Sequence, residues 1–594
     1  MSNGKINIFY AVDDAFSKYT IVSIKSLIQN SSDDENYLIT VLNTGISENI
    51  KEIASRLQTK NVEIVFADVT DYLKSISEKL PIRDYYSKTT YYRLFIAEMY
   101  PDLDKALYID SDTIVLADVA KLYKTDLGDN FVGACNEQAM VQVNGYGEYV
   151  EYCLGISRYN YFNAGVILIN CQKFREYAVL ERFCDLLGFY SFVVTQDEDY
   201  LNVICEDKVL FVDQGWNTEV FGEIPVKEED YKILHYIMVS KPWHYHDCRL
   251  KDYFWKYAKE TEVYESILDD LNSYTDEQRK NDAESCDRLL QTAINETNRE
   301  DNYFNMLCVN QKKSVDRMRI LKKIEKLERE GKFDQDVEAD PPSKVLTPDG
   351  VDYYRKSFAK KFKAKFAFHI ARRFVKKLLK NNQMIIKEIN GIEHFRNLKT
   401  GAIITCNHFN PFDSFAIQMV YDIAEQKKKF YRVIKEGNYT SFPGFYGFLM
   451  RNCNTLPLSS NYETMKEFMK ATDFLLKDGN FVLVYPEQSL WWNYKKPKPL
   501  KKGAFNMAAK NTVPVLPCFI TMKDSDTLDP DGFPVQEYTV HVLPPIYPDK
   551  DKSVRENTEI MLNKNYEMWK DLYENVYGED LVYLTSNGQK PTSL

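Results

Sequence analysis

Two α/β modules joined by a helical connector are predicted for this 594-residue chain, on three observations. Short apolar runs of strand length alternate with helix-period segments in both halves, the pattern of mostly parallel sheets covered by helices. The formal net charge of −11 is unevenly spread: residues 1–350 are strongly acidic, 351–548 strongly basic and 549–594 mildly acidic. Such a split assigns the halves different surroundings, one of them anionic. Hydrophobic residues are 44% and charged residues 27%, ordinary globular values that exclude a disordered tail, a collagen and a small disulfide scaffold.

The elements follow in order. Residues 5–12 (Lys-Ile-Asn-Ile-Phe-Tyr-Ala-Val) read as a buried strand, and Ile21, Ile24, Leu27 and Ile28 mark an amphipathic helix behind it. Strands are expected at 38–42 and 62–66 with a helix over 50–57 between them, then at 106–109 and 164–169. The first module spans 1–275. Residues 276–330 are polar and helical in period, and 334–350 read as an exposed linker, so 276–350 is expected to connect. A basic amphipathic segment covers 351–384. The second module, 385–548, has strands at 385–389, 401–406, 481–485 and 513–520, and 549–594 is a final helix and tail. No run reaches the roughly 18 apolar residues of a spanning helix. The N-terminus enters a strand directly, without a leader-peptide layout. Eleven scattered Cys, with no Cys-x-x-Cys pair, read as reduced thiols of a cytoplasmic protein.

Asp110-Ser111-Asp112 ends an apolar strand. Residues two apart in an extended segment project to one side, so two carboxylates can share a hard divalent cation that neutralises a diphosphate. Asp-x-Asp alone also describes a solvated turn. His244, His246 and Cys248 alternate like ligands, but no second pair completes a four-ligand zinc site, and they read as loop and core residues.

The surrounding motifs are Tyr10-Ala11-Val12-Asp13-Asp14, Thr89-Thr90-Tyr91-Tyr92-Arg93-Leu94, Leu107–Asp112, Tyr161-Phe162-Asn163-Ala164-Gly165-Val166, Gln196–Asn202 and Leu234-His235-Tyr236 with Lys241-Pro242-Trp243-His244. In this order they resemble the retaining glycosyltransferases of family 8, the group containing glycogenin and the bacterial lipopolysaccharide galactosyl- and glucosyltransferases. The resemblance covers roughly residues 5–260. It implies a GT-A-like nucleotide-sugar fold, a UDP-sugar donor and Mn²⁺ (or Mg²⁺) held by Asp110, Asp112 and His235. It further implies uracil contacts from Ala11 and Asp13, a diphosphate contact from Lys241, and donor-sugar contacts from Arg93, Asn163 and Asp197. Two departures stand out. Met238 occupies a position usually small or Gly, and Glu198 one that is often Gln. The family places Glu198 beneath the reacting carbon, where a carboxylate stabilises an oxocarbenium-like state or attacks it; a hydrogen-bonding Glu without covalent role is the plainer reading.

In the second module, Asn407-His408-Phe409-Asn410-Pro411-Phe412-Asp413 follows the strand Ile403–Cys406. Asn410 suits a helix cap and Pro411 the first helical position. His408 is thereby held at a strand-to-helix corner beside Asp413, as a base and its orienting group. This motif, with Gly447–Arg451, Tyr485-Pro486-Glu487-Gln488-Ser489-Leu490 and Val513–Pro517, resembles the 1-acylglycerol-3-phosphate (glycerolipid) acyltransferases over about 385–545. That implies attack of a hydroxyl on an acyl thioester, acyl-CoA or acyl carrier protein, without a metal or other cofactor. Arg451 and Glu487 match acceptor-binding positions. The family's third-motif Arg is replaced by Leu490. Lys495 and Lys496, with Lys498 nearby, can substitute, but Lys lacks the bidentate fork, so a sugar hydroxyl is an open alternative to a glycerol phosphate.

Residues 353–380 hold eleven Lys and Arg and no acid, with Phe358, Phe362, Phe366, Ile370 and Phe374 at four-residue steps. A cationic helix with an aromatic stripe is the pattern of an interfacial anchor, so an anionic membrane surface is the expected partner and the cytoplasmic, inner face the expected location. Packing of the Phe stripe into the core is the competing reading. No nucleic-acid reader motif accompanies the charge. Three functions stay open: a bifunctional enzyme making a glycolipid or acylated glycan; two independent activities with lysophosphatidate as acyl acceptor; and one module serving only as a glycan or lipid tether.

Overall fold

The computed structural model describes residues 4–71, 88–338, 343–355 and 358–585. The chain divides into two compact units between Leu307 and Cys308. Residues 339–342 of the expected linker and 356–357 of the basic segment lie outside the described residues.

In the first unit the strands in chain order are β1 (Lys5–Ala11), β2 (Asn36–Asn43), β3 (Val62–Asp68), β4 (Lys105–Ile109), β5 (Thr113–Val115), β6 (Val132–Asn136), β7 (Phe162–Asn170), β8 (Val209–Phe211), β9 (Thr218–Glu219) and β10 (Ile233–His235). The main sheet has the order β3-β2-β1-β4-β7-β6-β8, and β5-β10-β9 form a small one. β7 alone runs against its neighbours β4 and β6; the other pairs of the main sheet are parallel, as the alternating pattern predicts. Near-continuous burial along β1 and β7 explains their unbroken apolar runs, since both faces of such strands are covered. α1 (Ser17–Gln29) buries Ile21, Ile24 and Leu27 on one side, and α2 (Glu48–Leu57) buries Ile50 and Ile53. α3 (Asp197–Ile204) carries all but the first residue of the Gln196–Asn202 motif. α4 (Asp276–Asn298) starts at a Thr275–Gln278 capping box.

The segment expected as a connector divides. α4 belongs to the first unit, with Leu289 and Ala293 in its core. α5 (Val315–Arg329) belongs to the second, where Ile324 and Leu327 cluster with Phe333, Val337, Trp491 and Trp492. Within the expected linker, Asp334, Gln335, Glu338 and most of 343–350 are exposed, while Val337 and Leu346 are buried; the Asp-rich composition disguised these anchoring positions.

The second unit places β11 (Ile385–Asn390), β12 (Ala402–Thr405), β13 (Phe430–Ile434), β14 (Thr455–Pro457), β15 (Phe481–Val484), β16 (Val515–Leu528) and β17 (Pro534–Val542) in one sheet of order β11-β17-β16-β12-β15-β13-β14. Only β16 and β17 pair antiparallel. Its helices include α6 (Phe358–Lys380), α7 (Asp413–Ile423), α8 (Gly444–Asn452) and α9 (Val554–Tyr577). Among the described residues no helix is long and apolar enough to cross a membrane.

Candidate active sites

β4 ends at Ile109 and β5 begins at Thr113, so Asp110 and Asp112 leave the sheet together. β10 lies antiparallel to β5 with His235 opposite Thr113, which delivers the imidazole to both carboxylates. One ligand atom from each of the three side chains lies within 4.8 Å of the others. His235 Nε2 is 3.2 Å from Asp112 Oδ1 and 3.9 Å from Asp110 Oδ2. On the far side of the ring, Nδ1 is 3.0 Å from Asn217 Oδ1. An amide oxygen only accepts, so Nδ1 carries the proton and the Nε2 lone pair faces the carboxylates. Two carboxylates and an imidazole so oriented fit a divalent ion of the Mn²⁺ or Mg²⁺ type. Gly165 lies beneath: a Cβ there would come within 2.3 Å of His235 Cε1 and 2.6 Å of Asp110 Oδ2.

The trio faces a cavity of about 320 Å³. Ala11, Asp13, Arg93, Asn163, Asp197, Glu198 and Lys241 line it with Asp110, Asp112 and His235, so the fold gathers every residue expected at the first site. The Arg93 guanidinium is 3.2 Å from Asp110 Oδ1 and 3.1 Å from Asp197 Oδ2, and lies 4.4 Å from the Tyr108 ring centroid. Lys241 Nζ is 2.5 Å from Asp112 Oδ2. Burial opposes the Asp112 charge, yet Lys241 and His235 outweigh it and hold this carboxyl well below the usual carboxylate range. Asp197 goes the other way: burial outweighs Arg93 and lifts its carboxyl to about 7. Glu198 accepts from Ala164 N at 2.8 Å. Burial, reinforced by Glu137, pushes the Glu198 carboxyl well above its ordinary range. Met238 also lines the cavity; its φ of +59° is left-handed, the conformation that glycine adopts most readily.

Sequence reading passed over Glu137 and Asn217. Glu137 Oε2 accepts from Asn163 Nδ2 at 2.5 Å, Asn163 Oδ1 accepts from Asn217 Nδ2 at 2.7 Å, and Asn217 holds His235. This hydrogen-bonded chain ties the Glu137 side of the cavity to the trio. Glu137 also accepts from Ala139 N at 2.9 Å, and in sequence it looks like any helix cap. Asp282, Cys286 and Leu289 of α4 form another wall, from a segment expected only to connect.

In the second unit, His408 sits between β12 and α7. Its Nδ1 is 2.8 Å from Asp413 Oδ2, which also accepts from Phe409 N and Asn410 N at 3.2 and 3.3 Å. Tyr485, just past β15, donates to Asp413 Oδ1 at 2.6 Å and stacks on the imidazole with centroids 4.0 Å apart. Asp413 accepts a hydrogen bond from Nδ1–H, which leaves the Nε2 lone pair free. Glu487 Oε2 accepts from His408 N at 3.0 Å and Oε1 from Lys498 N at 2.9 Å. Lys498 Nζ is 3.5 Å from Glu487 Oε2. Burial raises the Glu487 carboxyl and lowers the Lys498 amine, each toward its neutral form. Glu487 thus pins the His408 backbone to the 486–498 loop.

The expected acceptor cations have partners elsewhere. Arg451 donates to the carbonyls of Tyr439 and Phe442 at 3.1 and 3.2 Å. Lys495 lies 5.8 Å from the Tyr577 ring. Lys496 pairs with Glu328 of α5 at 2.7 Å, a long-range contact that sequence spacing cannot show.

Along α6, Ala364, Ala367 and Leu378 are buried, and Phe374 packs on Phe445 and Tyr446, centroids 5.1 and 5.9 Å away. Phe358, Phe362 and Phe366 are 85%, 65% and 54% exposed. The aromatic stripe is core at one end and bare at the other.

Residues 7–247 match the family described as glycosyl transferase family 8, and residues 387–521 the family described as acyltransferase. Over 275 residues the chain is 27% identical to glycosyltransferase GlyE of Streptococcus pneumoniae serotype 4, covering 43% of this chain and 62% of that protein. Over 194 residues it is 28% identical to lipopolysaccharide glucosyltransferase WaaO of Escherichia coli, covering 30% of this chain and 53% of that protein. Thus the aligned part spans less than two thirds of either relative. Among solved structures, the 1-acyl-sn-glycerophosphate (LPA) acyltransferase PlsC from Thermotoga maritima aligns at 19% identity over 38% of this chain and 82% of its own, with a TM-score of 0.27. The chain is a transferase that joins a glycosyltransferase family 8 module to an acyltransferase module.

Proposed function

We propose that the first unit transfers a sugar from a UDP-sugar with retention, and that the second acylates a hydroxyl from acyl-CoA or acyl carrier protein, the joint product being a glycolipid or acylated glycan. The observation carrying this reading is the presence in one chain of both a divalent-metal donor trio opening on a cavity and a His408 oriented as a base. Asp110, Asp112 and His235 would hold Mn²⁺, which when bound supplies positive charge against the diphosphate leaving group. Lys241 adds a cation on the same side. Arg93, bridging Asp110 and Asp197, orients the sugar. Glu198, favoured as the neutral acid, acts as a hydrogen-bonding group in place of an amide and not as a covalent nucleophile. In the second unit His408 Nε2 removes the acceptor hydroxyl proton as the oxygen attacks the thioester carbon and the thiolate leaves. One relative is called a lipopolysaccharide glucosyltransferase, and that name supports a lipid-bearing sugar acceptor here.

Incubation with UDP-[¹⁴C]sugars, [³H]acyl donors and membrane lipids tests this. One organic-soluble product bearing both labels is expected; labels confined to separate products would replace it with two independent activities.

The bare end of α6 extends the proposal to an anionic membrane surface. Reversing Lys360, Lys361, Lys363 and Lys365 to Glu should release the chain from anionic liposomes. Each cation contributes about 1 kcal/mol near such a surface, so partitioning should fall by roughly a thousandfold or more. Raised salt should mimic the change. Sedimentation indifferent to both treatments would mean that α6 serves packing alone.

A further inference from the structure

The buried cations among the described residues, Arg93, Arg158 and Lys498, each face a carboxylate: Arg93 meets Asp110 and Asp197, Arg158 meets Glu151 and Lys498 meets Glu487. Around the acyl site the lysines are likewise compensated, Lys496 by Glu328, Lys501 by Asp334 at 3.1 Å and Lys435 by Asp336. Arg432 of β13 departs from this rule. It is half-buried, yet its recorded side-chain hydrogen bond goes to a neutral group, Gln418 Oε1 at 2.5 Å, and its buried Nε has no partner. The nearby carboxylate, Asp422, is held by Arg372 at 3.2 Å and by Gln418 Nε2 at 3.0 Å.

Its position links this cation to the chemistry. In the parallel pairing of β13 with β15, Arg432 lies opposite Leu483, two residues before Tyr485 and hence on the same face of the sheet. Tyr485 is the ring stacked on His408 and bonded to Asp413. Gln418, its acceptor, lies on α7, which begins at Asp413. A cation withdrawn from water is costly unless an anion meets it. Arg355 and Arg451 use their guanidinium groups on backbone carbonyls; Arg432 does not.

We infer that Arg432 is the anion-recognising residue of the acyl site, pairing with a phosphate or carboxylate borne by the acyl acceptor. This deepens the acyltransferase reading of the second unit and rests on it. It also reverses an expectation from Leu490: loss of the third-motif Arg moves oxyanion recognition to β13 instead of abolishing it.

The test compares 1-oleoyl-lysophosphatidate with 1-oleoylglycerol, which differ by the phosphate, as acceptors for the full chain. With Arg432→Met the ratio of their kcat/KM values should fall roughly 10- to 100-fold, as for loss of a charge-assisted contact. Arg432→Lys, which keeps the charge but not the fork, should recover part of the ratio. An unchanged ratio, or equal losses on both acceptors, would overturn the inference. A second arm compares oleoyl-CoA with oleoyl-pantetheine; a loss confined to the phosphate-bearing donor would overturn the assignment to the acceptor. Calorimetry with sn-glycerol 3-phosphate reads the same site without turnover. Binding by the native chain that Arg432→Met abolishes supports the inference; no binding by the native chain opposes it. Absence of all acyl turnover beside such binding would sink the acyltransferase reading and leave the anion site standing.

Discussion

Replacing both Asp110 and Asp112 by Asn is expected to abolish sugar transfer while leaving the fold and acyl transfer intact. The two carboxylates and His235 bring three donor atoms close enough to share one divalent ion, and Asn is a poor ligand for one. A metal that neutralises a departing diphosphate supplies several kcal/mol of transition-state stabilisation, so UDP-sugar turnover should drop by roughly a thousandfold or more. Mn²⁺ binding followed by calorimetry should vanish in parallel. The substitutions also remove the counter-charges of Arg93 and Lys241, so the thermal midpoint must be measured alongside. A well-folded double variant that turns over UDP-sugar at the native rate would refute the metal assignment. Acyl transfer to an added acceptor should persist, because His408 belongs to the other unit.

His408→Ala should do the converse, stopping acyl transfer while sugar transfer proceeds. Removal of a general base typically costs 10²- to 10⁴-fold. The imidazole is stacked on Tyr485, so some of the effect could come from a loosened Asp413; His408→Gln, closer in shape, separates the two. Its acyl rate should be as low as that of the Ala variant. Substantial acyl turnover in either variant would remove His408 from the chemistry.

Both candidate sites were legible where residues near in sequence also lie together in the fold. Asp110 and Asp112 flank a single turn, and His408 and Asp413 a single strand-to-helix corner, so local spacing already contained the geometry. The apolar runs of β1, β4, β12 and β15 were read for the same reason. β17 was missed because its buried and part-exposed residues alternate without an apolar run. Glu137 and Asn217 escaped because their importance lies in partners distant in sequence. For the lysines near Leu490, neighbours in sequence gave no hint that Glu328 pairs with Lys496 and that Glu487 faces Lys498. Met238 was flagged only by comparison with a family pattern, and its positive φ gives that flag a backbone cause.

The way the segment after residue 275 is shared between the two units governs how the protein can be dissected. A truncation ending at 275 would strip Asp282, Cys286 and Leu289 from the cavity of the first unit and open an apolar flank. A fragment beginning at 351 would lack Phe333, stacked on Trp491 with centroids 5.5 Å apart, and Gln335, whose carbonyl takes the Trp491 indole N–H at 2.7 Å. The Trp491 backbone N–H in turn reaches the His408 carbonyl at 3.3 Å. Half-proteins cut at those tempting places would report the damage of the cut and not the independence of the activities. Separation between Leu307 and Cys308 keeps α4 with the first sheet and α5, Phe333 and Gln335 with the second, and pieces divided there are the ones whose activities can be compared with those of the intact chain.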